Sequence, residues 1–240
     1  MQGALMSRSI RSAQIAAVAA AAVAVPLGAA PASAATTAPA RTPRACVTSG
    51  CTIVSRADVD GDGRADTTSL TRRDKGRAHT LRVVTAKGAV ASTTFSTTWL
   101  PSGLSPFYGA TALDGARGSE LVVLTQAGAH TLYHAVYTWR GGRLVAEKDP
   151  SGARDWVTDG AVSFAQGYTL RTVKGTKQLT SVAYSRDSFG RNATFSGRRI
   201  VARWQHGRWT PITDRAMIVK ESPSVWTGAG WNAPGLTRFL

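Results

Sequence analysis

Cys51-Thr52-Ile53-Val54-Ser55-Arg56-Ala57-Asp58-Val59-Asp60-Gly61-Asp62-Gly63-Arg64-Ala65-Asp66-Thr67-Thr68-Ser69-Leu70-Thr71 decides the fold class of this 240-residue chain. The runs on either side of the acidic centre are rich in β-branched residues, which suit a pleated, half-buried surface and predict two strands joined by a loop. Within the loop, Asp58, Asp60 and Asp62 stand at positions 1, 3 and 5, Arg64 offers its carbonyl at position 7, and Asp66 closes the ring at position 9. A calcium ion takes six to eight oxygen ligands, and carboxylates at this spacing can wrap one. Gly61 and Gly63 supply the positive φ that so tight a turn needs. Ser69 stands at position 12, where an EF-hand requires a bidentate glutamate, so the loop is not an EF-hand. The plain alternative is an acidic, solvated turn with no metal. Magnesium fits less well, because it keeps its waters and rarely uses an all-protein cage.

Strand, Asp-x-Asp-x-Asp-Gly-x-x-Asp loop and strand together resemble the FG-GAP and VCBS-type repeats, the family of the integrin α-subunit N-terminal propeller. The resemblance spans residues 52 to 150, strongest at the first loop, and implies a structural calcium held between strands of a blade. The family's Phe-Gly and Gly-Ala-Pro elements are not intact, and Phe107-Tyr108-Gly109-Ala110 is a loose echo of the first.

Upstream of the loop, Cys46 and Cys51 are the only cysteines. In an exported chain such a pair is expected to form a disulfide, a local clip because it closes a short loop. Residues 35 to 45 hold two prolines and no apolar period, which reads as a flexible leader. Residues 1 to 34 read as a secretory signal peptide: Arg8 and Arg11, an apolar run from Ile15 to Leu27, and Ala32-Ser33-Ala34 as the cleavage site. A membrane anchor is the weaker reading, since the run is short and broken by Pro26. Cleavage leaves about 206 residues, with 46 to 240 as one domain with a sizeable core.

The formal charge is +15, of which only Arg8 and Arg11 belong to the signal peptide. Such an excess favours an anionic partner such as a cell-wall polymer or glycan, or reflects only a solvated surface rich in arginine. With the signal peptide, a secreted, extracellular or cell-wall-associated protein is expected; no protein partner is named.

A second copy of the opening element appears when Asp60-Gly61 is placed over Asp114-Gly115, with Asp66 meeting Glu120 and Ala78-His79-Thr80-Leu81 meeting Ala129-His130-Thr131-Leu132. A period of roughly 50 residues suits propeller blades and similar β repeats. Ala112 and Ala116 replace two carboxylates, so the second loop should keep the turn and lose the metal. A third copy is suggested by residues 156 to 164. Glycine hairpins follow Trp139 and Trp204, and Lys174-Gly175 marks another. No segment after residue 34 shows helical periodicity. The chain is expected to be all-β, a partial propeller-like assembly of three to four blade-like antiparallel sheets or a β-sandwich; a closed seven-bladed propeller needs about twice the length.

No nucleophile elbow, zinc helix or phosphate loop is present. The expectation is therefore a non-enzymatic, calcium-binding extracellular module. A hydrolase built from His79, His130 and Asp159 is the competing class, and Glu147 with Asp149 has the residue types for acid–base work without a geometry fixed by sequence. Seven tryptophans, including Trp226 and Trp231 near the C-terminus, permit a sugar-stacking reading or simply fill the core.

Overall fold

The runs flanking the acidic loop pair antiparallel as β1 (Cys51–Ala57) and β2 (Asp66–Arg73), with Ala57 opposite Asp66 at the loop end. The computed structural model describes residues 43 to 236; the expected signal peptide, and the expected leader up to residue 42, lie outside the described residues. β3 (Ala78–Val84) and β4 (Val90–Ser96) complete a four-stranded up-and-down meander. The basic cluster between β2 and β3 is a turn, a 3-10 segment at Asp74–Gly76 with Asp74 and Lys75 left-handed at φ 43° and 52°. Cys46 and Cys51 form a disulfide, their Cα atoms 5.5 Å apart.

The meander then repeats. β5 (Phe107–Thr111), β6 (Glu120–Ala127), β7 (Thr131–Arg140) and β8 (Arg143–Glu147) run up and down, and Thr111 faces Glu120 as Ala57 faces Asp66. Even the irregularity recurs, since the register shifts between Ile53 and Ser55 in β1 and between Phe107 and Gly109 in β5. A third run follows as β9 (Trp156–Asp159), β10 (Phe164–Val173), β11 (Thr176–Arg186), β12 (Thr194–Gln205) and β13 (Arg208–Lys220). The short helix α1 (Pro223–Thr227) and β14 (Gly230–Asn232) end it, β14 lying parallel to β10.

Hydrogen bonding joins these strands into a four-stranded and a ten-stranded sheet. Neither closes into a barrel. β9 is the seam of the larger sheet, pairing with β7 on one side and β10 on the other.

Three apolar clusters hold the layers. Leu70, Leu81 and Phe95 of the first meander pack with Leu121, Val123 and Tyr137 of the second. From the same strands, Val122 and Val136 pack with Trp156, Tyr168, Leu179, Ile200 and Trp231. That sharing explains the unbroken run Leu121-Val122-Val123-Leu124, because a strand buried on both faces has no polar face to alternate with. The third cluster, Ala165, Val182, Tyr184 and Phe195, is capped by Val225 of α1.

One sequence expectation changes. The third strand of each copy does not align through the histidines: the ladder sets Leu70 opposite Leu81 but Leu124 opposite His134. His79 is thus buried in β3 while His130 is exposed in the turn before β7: the pairs Arg72–His79 and Gln126–Tyr133 are equivalent, so Tyr133 and not His130 takes the place of His79. The C-terminal tryptophans pack against the fold, as the core-filling reading of them expects. Trp231 is fully buried against Trp156 and Tyr168, and Trp226 meets the edge of Phe195.

Candidate functional site

The first loop is shaped by its own aspartates. Asp58 Oδ1 accepts the N–H groups of Gly61 (2.8 Å) and Asp62 (3.1 Å), and its Oδ2 accepts that of Gly63 (2.9 Å). Asp60 Oδ1 accepts from Asp62, and Asp62 Oδ1 from Arg64. Gly61 and Gly63 are left-handed at φ 78° and 84°, which lets the chain coil back around Asp58.

Asp66 does the most structural work. It is 1% exposed; its Oδ2 accepts from Val59 (2.8 Å) and Asp60 (3.1 Å), and its Oδ1 from Ala86 (2.8 Å) in the β3–β4 turn. One carboxylate therefore ties the first turn of the meander to the second.

Asp58, Asp60 and Asp66 each bring one carboxylate oxygen within 4.8 Å of the others. Asp62 stands apart from that trio and faces the Lys87 ammonium at 3.2 Å. Arg64 is exposed at the loop's outer end. Burial, then the charges of Asp66, Asp62 and Asp58, push the Asp60 carboxyl above its ordinary range. Three converging hard oxygen donors, one resisting ionisation because of its neighbours, fit a small divalent cation, with Asp62 as a further donor if it leaves Lys87.

The second loop keeps the turn but meets its charges differently. Glu120 repeats the role of Asp66, its Oε2 accepting from Leu113 (2.6 Å) and Asp114 (3.2 Å) and its Oε1 from Thr138 (3.0 Å). Here the protein supplies its own cations: Arg140 pairs with Asp114, and the Lys177 ammonium donates to the carbonyl of Ala112. The loops also touch, since Ser119 N–H donates to the Asp58 carbonyl at 2.7 Å.

A third carboxyl joins the second loop from β8. Asp114, Glu120 and Glu147 are all buried, with one oxygen of each within 4.8 Å of the others. Neither oxygen of Glu147 has a hydrogen-bond partner. Burial first, then the charges of Glu120 and Asp114, push Glu147 up to about 9; burial and Asp114 push Glu120 up to about 7. Glu147 borders a cavity of ≈ 490 Å³ walled by Arg140, Val145, Trp204 and Trp209. Sequence reading found Glu120 by its repeat position but not its meeting with Glu147. The apolar run Leu121-Val122-Val123-Leu124 marks a strand buried on both faces, but nothing in the sequence brings Glu147 of β8 beside Glu120.

Among the described residues no hydrogen bond or ring contact joins His79, His130 and Asp159, although Asp159 pairs with Thr131, the neighbour of His130. His79 stacks on Phe95 with Thr97 Oγ1 3.5 Å from its Nδ1, His130 is exposed, and Asp159 accepts from the Thr131 hydroxyl and the Ala161 N–H. His134 Nδ1 donates to the Trp156 carbonyl at 3.0 Å, and burial lowers its pKa to about 4, so it is a neutral core residue. Among the described residues no helix is long and apolar enough to cross a membrane. No protein family, curated protein or solved structure matches the chain.

Proposed function

We propose that the protein is an exported, non-enzymatic β-repeat module of the FG-GAP and VCBS type, in which the first loop alone holds a structural calcium ion. The observation that carries this reading is the contrast between the loops. Asp58, Asp60 and Asp66 converge, and the Lys87 ammonium beside their loop lies against Asp62, whereas the second loop is met by Arg140 and Lys177. Asp58, Asp60, Asp62 and Asp66 would hold the ion, with the Arg64 carbonyl as the remaining protein ligand. The ion would supply positive charge and nothing else, relieving the repulsion that raises Asp60. The Cys46–Cys51 disulfide supports an oxidising destination outside the cell. The basic excess supports an anionic extracellular polymer or glycan as partner.

A calorimetric calcium titration of the mature chain tests the assignment. One site per chain is expected, lost in Asp60→Ala and kept in Asp114→Asn. Absence of binding, or two equivalent sites, overturns it.

A further inference from the structure

Between the β2–β3 turn of the first meander, at the end away from the acidic loop, and the segment joining β4 to β5 lies a groove of ≈ 710 Å³. Its wall carries Arg72, Lys75 and Arg77, and no aspartate or glutamate lines it. Asp74 lies close by but is held outside, paired with Arg77 at 2.8 Å. At the lip stands Trp99, 81% exposed, while Trp156, Trp209 and Trp231 are buried in the core.

The backbone presents Trp99 from a fixed base. Thr97 N–H donates to the Arg77 carbonyl at 2.8 Å and its hydroxyl to the Gly76 carbonyl at 2.7 Å, so the segment is fastened to the basic turn itself. Thr98 N–H donates to the Thr125 carbonyl at 2.8 Å, fastening it to the second meander as well. Trp99 itself is left-handed at φ 56°, a conformation unfavourable for an aromatic residue and retained although the ring gains no burial from it.

An exposed indole and three cations, of which only Arg77 is paired with an acid, select the ligand. The indole offers a flat apolar face to the C–H face of a sugar ring, and the cations require negative charge on that sugar. The hydroxyls of Thr52 and Ser102, which also line the groove, suit a polyhydroxylated ligand. A single-stranded nucleic acid would call for several aromatic platforms in series, one per base, and this groove has one. We propose that this groove binds an acidic saccharide, a carboxylated glycan whose ring stacks on Trp99 and whose carboxylates meet Arg72, Lys75 and Arg77. The inference rests on the extracellular reading above but is independent of calcium.

The probe is tetragalacturonate, titrated into the mature chain by calorimetry in chelator, which removes calcium bridging between uronates. Failure of the calcium reading would therefore show only in metal binding and melting behaviour. Trp99→Ala should weaken binding at least tenfold without moving the melting midpoint, because the ring is not part of the core. Arg72→Gln with Arg77→Gln should weaken it similarly and flatten its salt dependence. Equal affinity of Trp99→Ala and wild type overturns the proposal. So does equally tight binding of neutral chitotetraose, or tighter binding of oligothymidylate.

Discussion

Replacing Asp66 by alanine removes the acceptor for three backbone donors at once, those of Val59, Asp60 and Ala86. The Val59 N–H is buried with no water to replace its partner, a loss of about 1–3 kcal/mol; the other two sites are partly buried and add about 1 kcal/mol each. The expected destabilisation is about 4 kcal/mol, a fall of roughly 8–16 °C in melting midpoint for a domain of this size. Measured in chelator, the change reports the hydrogen bonds alone and not metal binding. Asp66→Asn retains one accepting oxygen and turns an N–H₂ toward whichever donors it cannot serve, so it should lose about 1–2 kcal/mol. Glu120→Gln should lose less than Asp66→Asn, because Glu120 already sits among buried acids that resist its ionisation. Denaturant unfolding followed by circular dichroism measures all three. A loss below about 1 kcal/mol in Asp66→Ala would refute the view that this carboxylate ties the two turns together.

Two further outcomes follow from the same region. Gly118 is left-handed at φ 101° and a Cβ there would meet the Val59 carbonyl, whereas at Gly63, φ 84°, a Cβ meets nothing within 4 Å; calorimetric melting should show Gly118→Ala losing about 2–4 kcal/mol and Gly63→Ala about 1. Glu147 has a folded pKa of about 9 against an ordinary 4.5, so the native state keeps a proton that the unfolded chain releases. Its contribution is fully present below about pH 4.5 and is lost as pH rises toward about 9. Glu120 adds to the decline between about 4.5 and 7. Midpoints measured from pH 5 to 9 should fall in the wild type, and Glu147→Gln should flatten the curve above pH 7. An unchanged slope would place the buried charge elsewhere.

Much of this architecture was legible because local signals and ladder pairing agree. The β-branched flanks of the Asp58–Asp66 loop became β1 and β2, and the glycine hairpins became two-residue turns with positive φ at Gly141 and Gly142, Lys174 and Gly175, and His206 and Gly207. Strand register was not legible, which is why His79 and His130 looked equivalent: the shared Ala-His-Thr-Leu string lies within β3 in one copy and runs from the turn into β7 in the other, and only the ladder puts Tyr133 in the place of His79. Nor does sequence distinguish a packed tryptophan from a presented one. Trp231 and Trp99 lie in similar glycine- and proline-bearing segments, yet one is enclosed by Trp156 and Tyr168 while the other faces solvent. The helix α1 escaped because five residues are too few for a 3.6-residue period to show. At the metal loop, spacing foretold the convergence of Asp58, Asp60 and Asp66, but Lys87, which draws Asp62 aside, comes from the distant β3–β4 turn.

The central claim is that one calcium ion orders the first loop, and thermal melting of the mature chain in calcium and in chelator tests it most directly. Extracellular modules bind at ~10⁻⁴–10⁻³ M, and at free calcium about tenfold above Kd, binding to the native state alone contributes roughly 1.4 kcal/mol. For a domain of this size the midpoint should rise by about 3–5 °C in wild type and in Asp114→Asn, and by nothing in Asp60→Ala. A wild-type midpoint indifferent to chelator, or an increment that survives in Asp60→Ala, would contradict the account.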